Sequence, residues 1–149
     1  MKTVEPSGSA GSNPAPSADC HHPWMIKLTF CLRRRPGLSR EEFQAYWLET
    51  HAPLVQARAE VLGVRRYVQC HTADLPGLHA AFQARNGGAP EPYDGVAELW
   101  FDSLEAMTGG APDPEAAVAA AAELLEDERS FIDLPSSPIW LGYEHEIVG

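Results

Sequence analysis

The sequence predicts an α+β domain whose elements follow the order β-α-β-β-α-β. Three observations lead to this prediction. Four short segments have the composition and alternation of strands, and two helical segments separate the first strand from the second and the third from the fourth. The connection between the middle strands is polar and rich in glycine and proline. Two crossovers of the same hand place both helices on one face of an antiparallel sheet, which is the ferredoxin-like arrangement.

Local patterns define the first half of the domain. Residues 25–32 alternate in character and predict a strand. Ser39 and Glu42 form a capping box, in which each side chain bonds the other residue's backbone N–H, so a helix begins there. Pro53 disfavours helical geometry in the residue before it. We therefore expect one helix to Thr50, a kink or break at residues 51–53, and then a second short helix to residue 62 that Gly63 ends as its C-cap.

The second half repeats the pattern after a longer insertion. The expected bounds are residues 64–71 and 96–101 for the middle strands, 115–131 for the alanine-rich second helix and 139–148 for the last strand. Asp113 is expected to cap the second helix. Its predicted apolar stripe is Val118, Ala121, Ala122 and Leu125. The 72–92 segment is long enough to be functional, with one or two helical turns at 78–85.

Length and composition indicate one cytoplasmic domain. The chain has 149 residues and an apolar share of 44%, and no stretch approaches the ~20 apolar residues of a membrane span. Residues 1–24 are polar and lack the apolar centre of a secretory signal, so we predict a disordered tail before a domain at residues 25–149. The three cysteines have neither metal nor redox spacing, and their odd number argues against a disulfide framework. They are Cys20, Cys31 and Cys70.

The charge of the chain limits its partners. The formal net charge is −10, with +4 in residues 25–90 and −13 in residues 91–149. Nucleic acids and anionic membranes require a positive protein surface, so neither is an expected partner. The basic run at residues 33–35 is either a solvated turn after the first strand or a phosphate site, and the turn is the simpler interpretation.

Large apolar side chains leave the predicted sheet on both sides. Trp100 and Trp140 have the opposite strand parity to their neighbours Leu99 and Leu141. A sheet face that carries aromatic residues is rarely left open to water. We therefore expect a homodimer in which two sheets pack face to face, and the alternative is a one-sided sheet with a few solvated aromatic residues.

His51 is the first candidate for catalysis. It shares a helix face with Phe43 and Trp47, so it should point toward the sheet. Its unperturbed pKa lies near neutrality, which suits proton transfer. The alternative is a buried histidine held by a single hydrogen bond. No phosphate loop, dinucleotide-binding glycine pattern, nucleophile elbow or zinc spacing is present, so no cofactor and no metal are expected.

Two carboxylates are expected to assist His51. Glu98 lies inside the third strand, where a carboxylate is at an edge, paired, or raised in pKa by burial. Lys27 or Arg66 is the alternative partner for Glu98. Asp94 precedes a glycine at the start of that strand, where turn formation is its alternative role.

Aromatic and histidine side chains are expected to bind the substrate. Aromatic walls are typical of ligand pockets. The expected substrate-binding residues are Trp47, Tyr46, Tyr67, Trp100, His71 and His145. The alternative for either histidine is an ordinary surface or core position, and for Tyr46 a place beside the pocket rather than in it.

Several runs of the sequence resemble the EthD family. They are Ile26-Lys27-Leu28-Thr29, Ser39-Arg40-Glu41-Glu42-Phe43, Tyr46-Trp47, His51-Ala52-Pro53-Leu54, Tyr93-Asp94-Gly95-Val96-Ala97-Glu98-Leu99-Trp100-Phe101, Asp127-Glu128, Phe131-Ile132-Asp133, Glu144-His145 and Ile147-Val148. The combination, over about residues 25–148, is specific. His51 matches the histidine of the family's Tyr-Trp…His-x-Pro motif. The 72–92 segment departs from the family pattern, so we expect substrate access to differ.

The resemblance implies a dimeric α+β barrel, in which two ferredoxin-like sheets face each other. Similar domains include fungal polyketide-pathway dehydratases. It therefore implies an enzyme of proton-transfer chemistry that dehydrates, isomerises or cyclises a small aromatic or polyketide-like compound, with His51 as base or acid. The alternatives are a non-catalytic accessory or ligand-binding protein of a monooxygenase system, and a cofactor-free oxygenase or haem protein.

Overall fold

The computed structural model describes residues 25–149. The predicted disordered tail, with Cys20, His21 and His22, lies outside the described residues. The strands are β1 (Ile26–Leu32), β2 (Val64–His71), β3 (Gly95–Phe101) and β4 (Ile139–Gly142). The helices are α1 (Arg40–Tyr46), a π-helical turn (Trp47–His51), α2 (Ala52–Arg58), α3 (Pro76–Arg85), α4 (Leu104–Thr108) and α5 (Pro114–Phe131), which a 3₁₀ turn follows (Leu134–Ser136). No helix in the described part of the chain is long and apolar enough to cross a membrane.

The four strands form one antiparallel sheet in the order β2-β3-β1-β4. This order confirms the predicted ferredoxin-like βαββαβ fold. Lys27 pairs with Trp100, and Leu28 pairs with Leu99. Because successive strand residues point to opposite faces, the leucines lie on the face that the helices cover. The other face, called the open face below, carries Lys27, Glu98 and Trp100.

Aromatic side chains form the centre of the core between the helices and the sheet. Phe43 and Trp47 lie within the first helical segment, and the ring of Phe43 lies 5.5 Å from the ring of Phe131 at the end of α5. Gly95 makes room for Trp47, because a Cβ atom at Gly95 would lie only 2.4 Å from Cζ3 of the indole. These contacts fix the position of Trp47 relative to β3.

The first helical segment begins as predicted and continues differently. Ser39 Oγ accepts from the backbone N–H of Glu42, and the Glu42 carboxylate accepts from the backbone N–H of Ser39, which confirms the capping box. The predicted break at residues 51–53 is wrong. The chain stays helical through the π-helical turn, in which the N–H of Ala52 donates to the carbonyl of Trp47 five residues earlier. Pro53 then lies in the first turn of α2, where a missing N–H is tolerated.

Three predicted boundaries are also wrong. α2 ends at Arg58 rather than at residue 62, and Gly63, with a φ of 70°, closes the turn that follows. α3 is a ten-residue helix where one or two turns were expected. β4 ends at Gly142, because Glu144 leaves the sheet and accepts from Lys27 Nζ across the open face.

The predicted apolar stripe of α5 is wrong as well. The buried residues of this helix are Ala120, Leu124 and Phe131. Val118 and Leu125, which belong to the predicted stripe, are exposed. The alanines differ little in size from one face of the helix to the other, so they do not define its buried face. Phe131 packs into the core, and the residues at helical spacing from Phe131 therefore face the core as well.

Candidate active site

A small cavity lies between the helices and the sheet, beside the aromatic core. Its volume is about 50 Å³. The polar side chains that line it are His51, Tyr67 and Glu128, and its apolar lining includes Trp47, Leu99 and Ile132. An apolar cavity with a few convergent polar groups is the arrangement expected of a small-molecule site.

His51 is held in one tautomer by Asp127. Its Nδ1 lies 2.7 Å from Asp127 Oδ2, and because an ionised carboxylate only accepts hydrogen bonds, Nδ1 carries the proton. The lone pair of the ring is then on Nε2. His51 is only 5% exposed, and this burial lowers its pKa, although the Asp127 carboxylate opposes part of the shift. The imidazole is therefore neutral near pH 7, with a basic Nε2 atom.

Tyr46 lies behind this pair rather than in the cavity. Its hydroxyl donates to the second carboxylate oxygen of Asp127 at 2.6 Å, and Ser130 Oγ donates to the Tyr46 oxygen at 3.2 Å. Each oxygen of Asp127 is therefore bound by one donor. Phe131 packs against the His51 ring at 5.2 Å between centroids. The position of the imidazole is fixed by these neighbours before any ligand binds.

Glu128 follows Asp127 in α5 and lines the cavity with His51. Burial, together with the charge of Asp127, raises the pKa of Glu128 to about 7. Among residues 25–149, no side chain donates a hydrogen bond to this carboxyl group. At neutral pH it is close to half protonated, so it can give a proton to a ligand or take one from it.

Tyr67 supplies a neutral hydroxyl to the same cavity. Its oxygen accepts hydrogen bonds from Trp47 Nε1 at 3.1 Å and from Gln69 Nε2 at 2.8 Å. Burial raises the pKa of Tyr67, and these two hydrogen bonds offset part of that rise. Because both lone pairs of the oxygen are engaged, the hydroxyl proton is free to be donated to a ligand.

Regular and irregular elements together position these groups. The strand alternation of β2 points Tyr67 toward the helices. Glu128 lies nearly one turn before the buried Phe131 in α5. His51 is the last residue of the π-helical turn, an irregularity that is frequent at functional sites.

Two of the predicted site residues lie on the open face. Glu98 and Trp100 are therefore on the opposite side of the sheet from His51, and the predicted sharing of a proton between Glu98 and His51 is corrected. Lys27 Nζ donates to Glu98 at 2.7 Å, so the alternative, a paired carboxylate, is confirmed. Trp100 does not line the cavity, because its ring lies under the guanidinium of Arg66 at 4.5 Å.

Asp94 and His145 are also separate from the cavity. Asp94 is buried and accepts hydrogen bonds from the side chains of Arg34 and Arg40. Burial by itself raises the pKa of this carboxyl. Hydrogen bonds from the Arg34 backbone N–H and from the side chains of Arg40 and Arg34, together with the charge of Arg34, lower the pKa below its ordinary value. Asp94 thus stays ionised and is paired with the two arginines, which corrects the prediction that it orients His51 or shares a proton with it. His145 is exposed beyond the end of β4.

His71 lies at a second, larger depression, called the outer groove below. The groove has a volume of about 650 Å³ and is lined by Arg34, Arg40, Glu41, Gln44, Ala45, Leu48, His71, Thr72 and Asp74. No group of three or more His, Cys, Asp or Glu side chains within residues 25–149 is placed to hold a metal ion.

Comparison with known proteins identifies the family. Residues 35–135 match the model of the EthD domain, which is more than half of the chain. The chain belongs to the EthD family. It is 27% identical over 126 residues to the conidial pigment biosynthesis dehydratase EthD of Metarhizium robertsii, covering 83% of this chain and 85% of that protein. It is 24% identical over 140 residues to the decarboxylase AgnL1 of Paecilomyces divaricatus, covering 93% of this chain and 91% of that protein.

A solved structure supports the fold of this EthD domain. The crystal structure of an EthD family protein from Bacillus halodurans aligns with a TM-score of 0.52 at 21% identity, covering 81% of this chain and 99% of that one. A dimeric protein of ferredoxin-like fold from Bacteroides fragilis aligns with a TM-score of 0.49.

Sequence reasoning missed three polar members of the EthD domain's cavity and its surroundings. Asp127 and Glu128 entered only as part of the family resemblance, with no role, and Gln69 entered only as part of the predicted strand at residues 64–71. The signal that was available is the position of Asp127 and Glu128, a turn before the apolar Phe131 in an alanine-rich helix.

Proposed function

We propose that this EthD domain is a dehydratase that removes water from a β-hydroxy ketone fused to an aromatic ring. The observation that carries the proposal is the pairing, in one cavity, of a neutral imidazole with a half-buried carboxyl group whose pKa is about 7. Such a pair holds a base and an acid at the same pH, which is what the elimination of water requires.

Each polar group of the cavity has a role in this reaction. His51 Nε2 takes the proton from the carbon next to the substrate's carbonyl group. The Tyr67 hydroxyl donates to the carbonyl oxygen, where negative charge develops. Glu128, in its protonated form, gives its proton to the leaving hydroxyl group. The C–H and C–O bonds break, a carbon–carbon double bond forms, and the hydroxyl leaves as water.

The proton balance then closes within the site. After one turnover His51 is protonated and Glu128 is ionised, so one proton passes from the imidazolium to the carboxylate before the next cycle. Asp127 stabilises the imidazolium in the interval, because it lies 2.7 Å from the opposite nitrogen of the ring. Asp127 is therefore a positioning residue and does not contact the substrate.

Three named relatives are dehydratases and support this class of reaction, whereas AgnL1 is named a decarboxylase. Two further matches are the dehydratase aurZ of Gibberella zeae, 25% identical over 126 residues, and the dehydratase ustZ of Ustilaginoidea virens, 27% identical over 85 residues. A role in secondary metabolism follows as part of the proposal. The cytoplasmic location stays a prediction.

The proposal is tested with 3-hydroxy-1-tetralone, a β-hydroxy aryl ketone that becomes 1-naphthol when it loses water. We expect the protein to accelerate the appearance of 1-naphthol, followed by its fluorescence and by mass spectrometry. The reaction in buffer and the reaction with heat-denatured protein are the controls. If this ketone and its ring-hydroxylated analogues bind and are not converted, the non-catalytic ligand-binding alternative replaces the enzymatic one.

We also propose that two copies pair through their open faces, as the sequence analysis predicts. Trp140 supports this, because it is half exposed and lies on the open face opposite Thr29 of β1. Light scattering coupled to size-exclusion chromatography should give twice the mass of one chain, and Trp140→Lys should reduce it to one chain. A monomeric wild-type protein at tens of micromolar would contradict the pairing.

A further inference from the structure

The cavity at His51 is smaller than the substrate that the proposed function requires. Its volume is about 50 Å³, whereas sites for small molecules occupy roughly 300–1,000 Å³. The outer groove, at about 650 Å³, falls within that range. Trp47 lines the cavity and His71 lines the groove, and this pair of residues is called the wall below.

Trp47 and His71 form this wall by stacking their rings. The centroids lie 4.6 Å apart, and the planes are inclined by only 7°. Trp47 is fixed, since it is 1% exposed, packs against Gly95 and donates from Nε1 to Tyr67. His71 is held less firmly. It ends β2, it is half-buried, and its side chain makes one hydrogen bond, to Gln69 Oε1 at 2.8 Å.

We propose that the outer groove and the cavity are two parts of one substrate site, and that a planar aromatic acid opens the wall by displacing the His71 imidazole from Trp47. This inference rests on the proposed function and specifies its substrate. The face of Trp47 that His71 leaves is flat and apolar, so an aromatic ring is the group that best replaces it.

Two arginines of the groove can bind an acidic substituent on that ring. The guanidinium groups of Arg34 and Arg40 are partly exposed, and each gives one N–H to the carboxylate of Asp94, which leaves further N–H donors on both. A carboxylate or phenolate on the ligand would accept charge-assisted hydrogen bonds from these donors. Glu41 and Asp74 also line the groove, and they are exposed to solvent. With Asp94 they outnumber the two arginines, so the acidic group is bound by these local hydrogen bonds and not by an excess of positive charge.

A hydrogen-bond chain links the groove to the reacting groups. Gln69 Nε2 donates to Tyr67 and to the carbonyl of Trp47, so the amide oxygen of Gln69 is its acceptor. The His71 nitrogen that contacts this oxygen, Nε2, must therefore carry the proton. Displacing His71 frees the amide oxygen of Gln69 and leaves both of its bonds to the cavity wall in place. Tyr67 thus keeps its orientation while the wall opens.

The test uses 3-hydroxy-2-naphthoate as the acidic probe and 2-naphthol as its neutral counterpart, each titrated into the full-length protein by calorimetry. Arg40→Gln should weaken naphthoate binding about tenfold, because the variant lacks one charged hydrogen-bond donor for the carboxylate. Binding of 2-naphthol, which has no carboxylate, should weaken less than about twofold. In this variant Asp94 still accepts a hydrogen bond from the side chain of Arg34. Arg65→Gln is the matched control, since Arg65 is exposed and pairs with Asp102 outside the groove, and it should change neither affinity.

A second variant tests the wall itself. His71→Ala should bind naphthoate several-fold more tightly, because no stacked pair has to separate. A crystal structure of the wild-type complex should show the naphthalene ring on Trp47. The inference is overturned if naphthoate does not bind, if Arg40→Gln and Arg65→Gln weaken it equally, or if His71 stays stacked on Trp47 in the complex.

Failure of the proposed function is distinguishable from failure of this inference. If naphthoate binding depends on Arg40 and His71 while no β-hydroxy ketone is dehydrated, the ligand site stands and the dehydratase does not. If ketones are dehydrated and naphthoate binding does not depend on Arg40 or His71, the dehydratase stands and the proposed ligand site does not.

Discussion

Replacing His51 by asparagine should lower the rate of dehydration by a factor of about 10²–10⁴, the usual contribution of a positioned general base. The asparagine amide can still donate to Asp127, so the hydrogen bond that Nδ1 makes at 2.7 Å is replaced. What is lost is the basic Nε2 atom, for which asparagine has no equivalent. We expect kcat to fall with little change in KM, because His51 acts on the reacting bond.

The matched control for this variant is His145→Asn. His145 is exposed beyond β4 and lies outside the cavity, so its replacement should leave the rate unchanged. Tyr46→Phe should give an intermediate result, a fall of about three- to tenfold, because it removes one of the two donors that fix Asp127. Circular dichroism of each variant checks the fold. A His51→Asn protein that is folded and as active as wild type would exclude His51 as the base.

The fold was predictable because its elements depend on local chemistry. The capping box at Ser39 and Glu42, the alternation of β2 and the proline after Asp113 each specify an element within a few residues. The π-helical turn was not predictable from such signals. His51, at the end of this turn, packs against Phe131 of α5, and such a contact between distant parts of the chain is not specified by local patterns.

The site was only partly predictable, because its partners come from distant parts of the chain. Helical spacing placed His51 on the buried face correctly. The choice of Glu98 as its partner was wrong, since strand parity alone does not say which face of the sheet the helices cover. Asp127 and Glu128 were the carboxylates in reach, and only the packing of α5 on the π-helical turn brings them to His51.

Glu128→Gln should stabilise the protein at alkaline pH while it abolishes most of the activity. The pKa of Glu128 is about 7 in the folded protein, against an ordinary value of 4.5. The folded state therefore binds the proton more tightly than the unfolded chain does, and wild-type stability falls as pH rises from about 4.5 to 7. At 1.36 kcal/mol per pKa unit, the cost above pH 7 is up to about 3 kcal/mol. Glutamine does not ionise, so the variant does not have this loss of stability.

Urea denaturation of wild type and Glu128→Gln near pH 4.5, 6 and 8 measures this difference. The free energies of unfolding of the two proteins should be similar near pH 4.5. Toward pH 8 the variant should become progressively more stable than wild type. Glu126→Gln is the matched control on the same helix, because Glu126 is 77% exposed and pairs with Arg129. Its effect should stay within about 0.5 kcal/mol at each pH. A stability difference that does not change with pH would mean that Glu128 titrates as an ordinary surface carboxylate. The proposed acid of the dehydration would then be ionised at neutral pH and unable to protonate the leaving group.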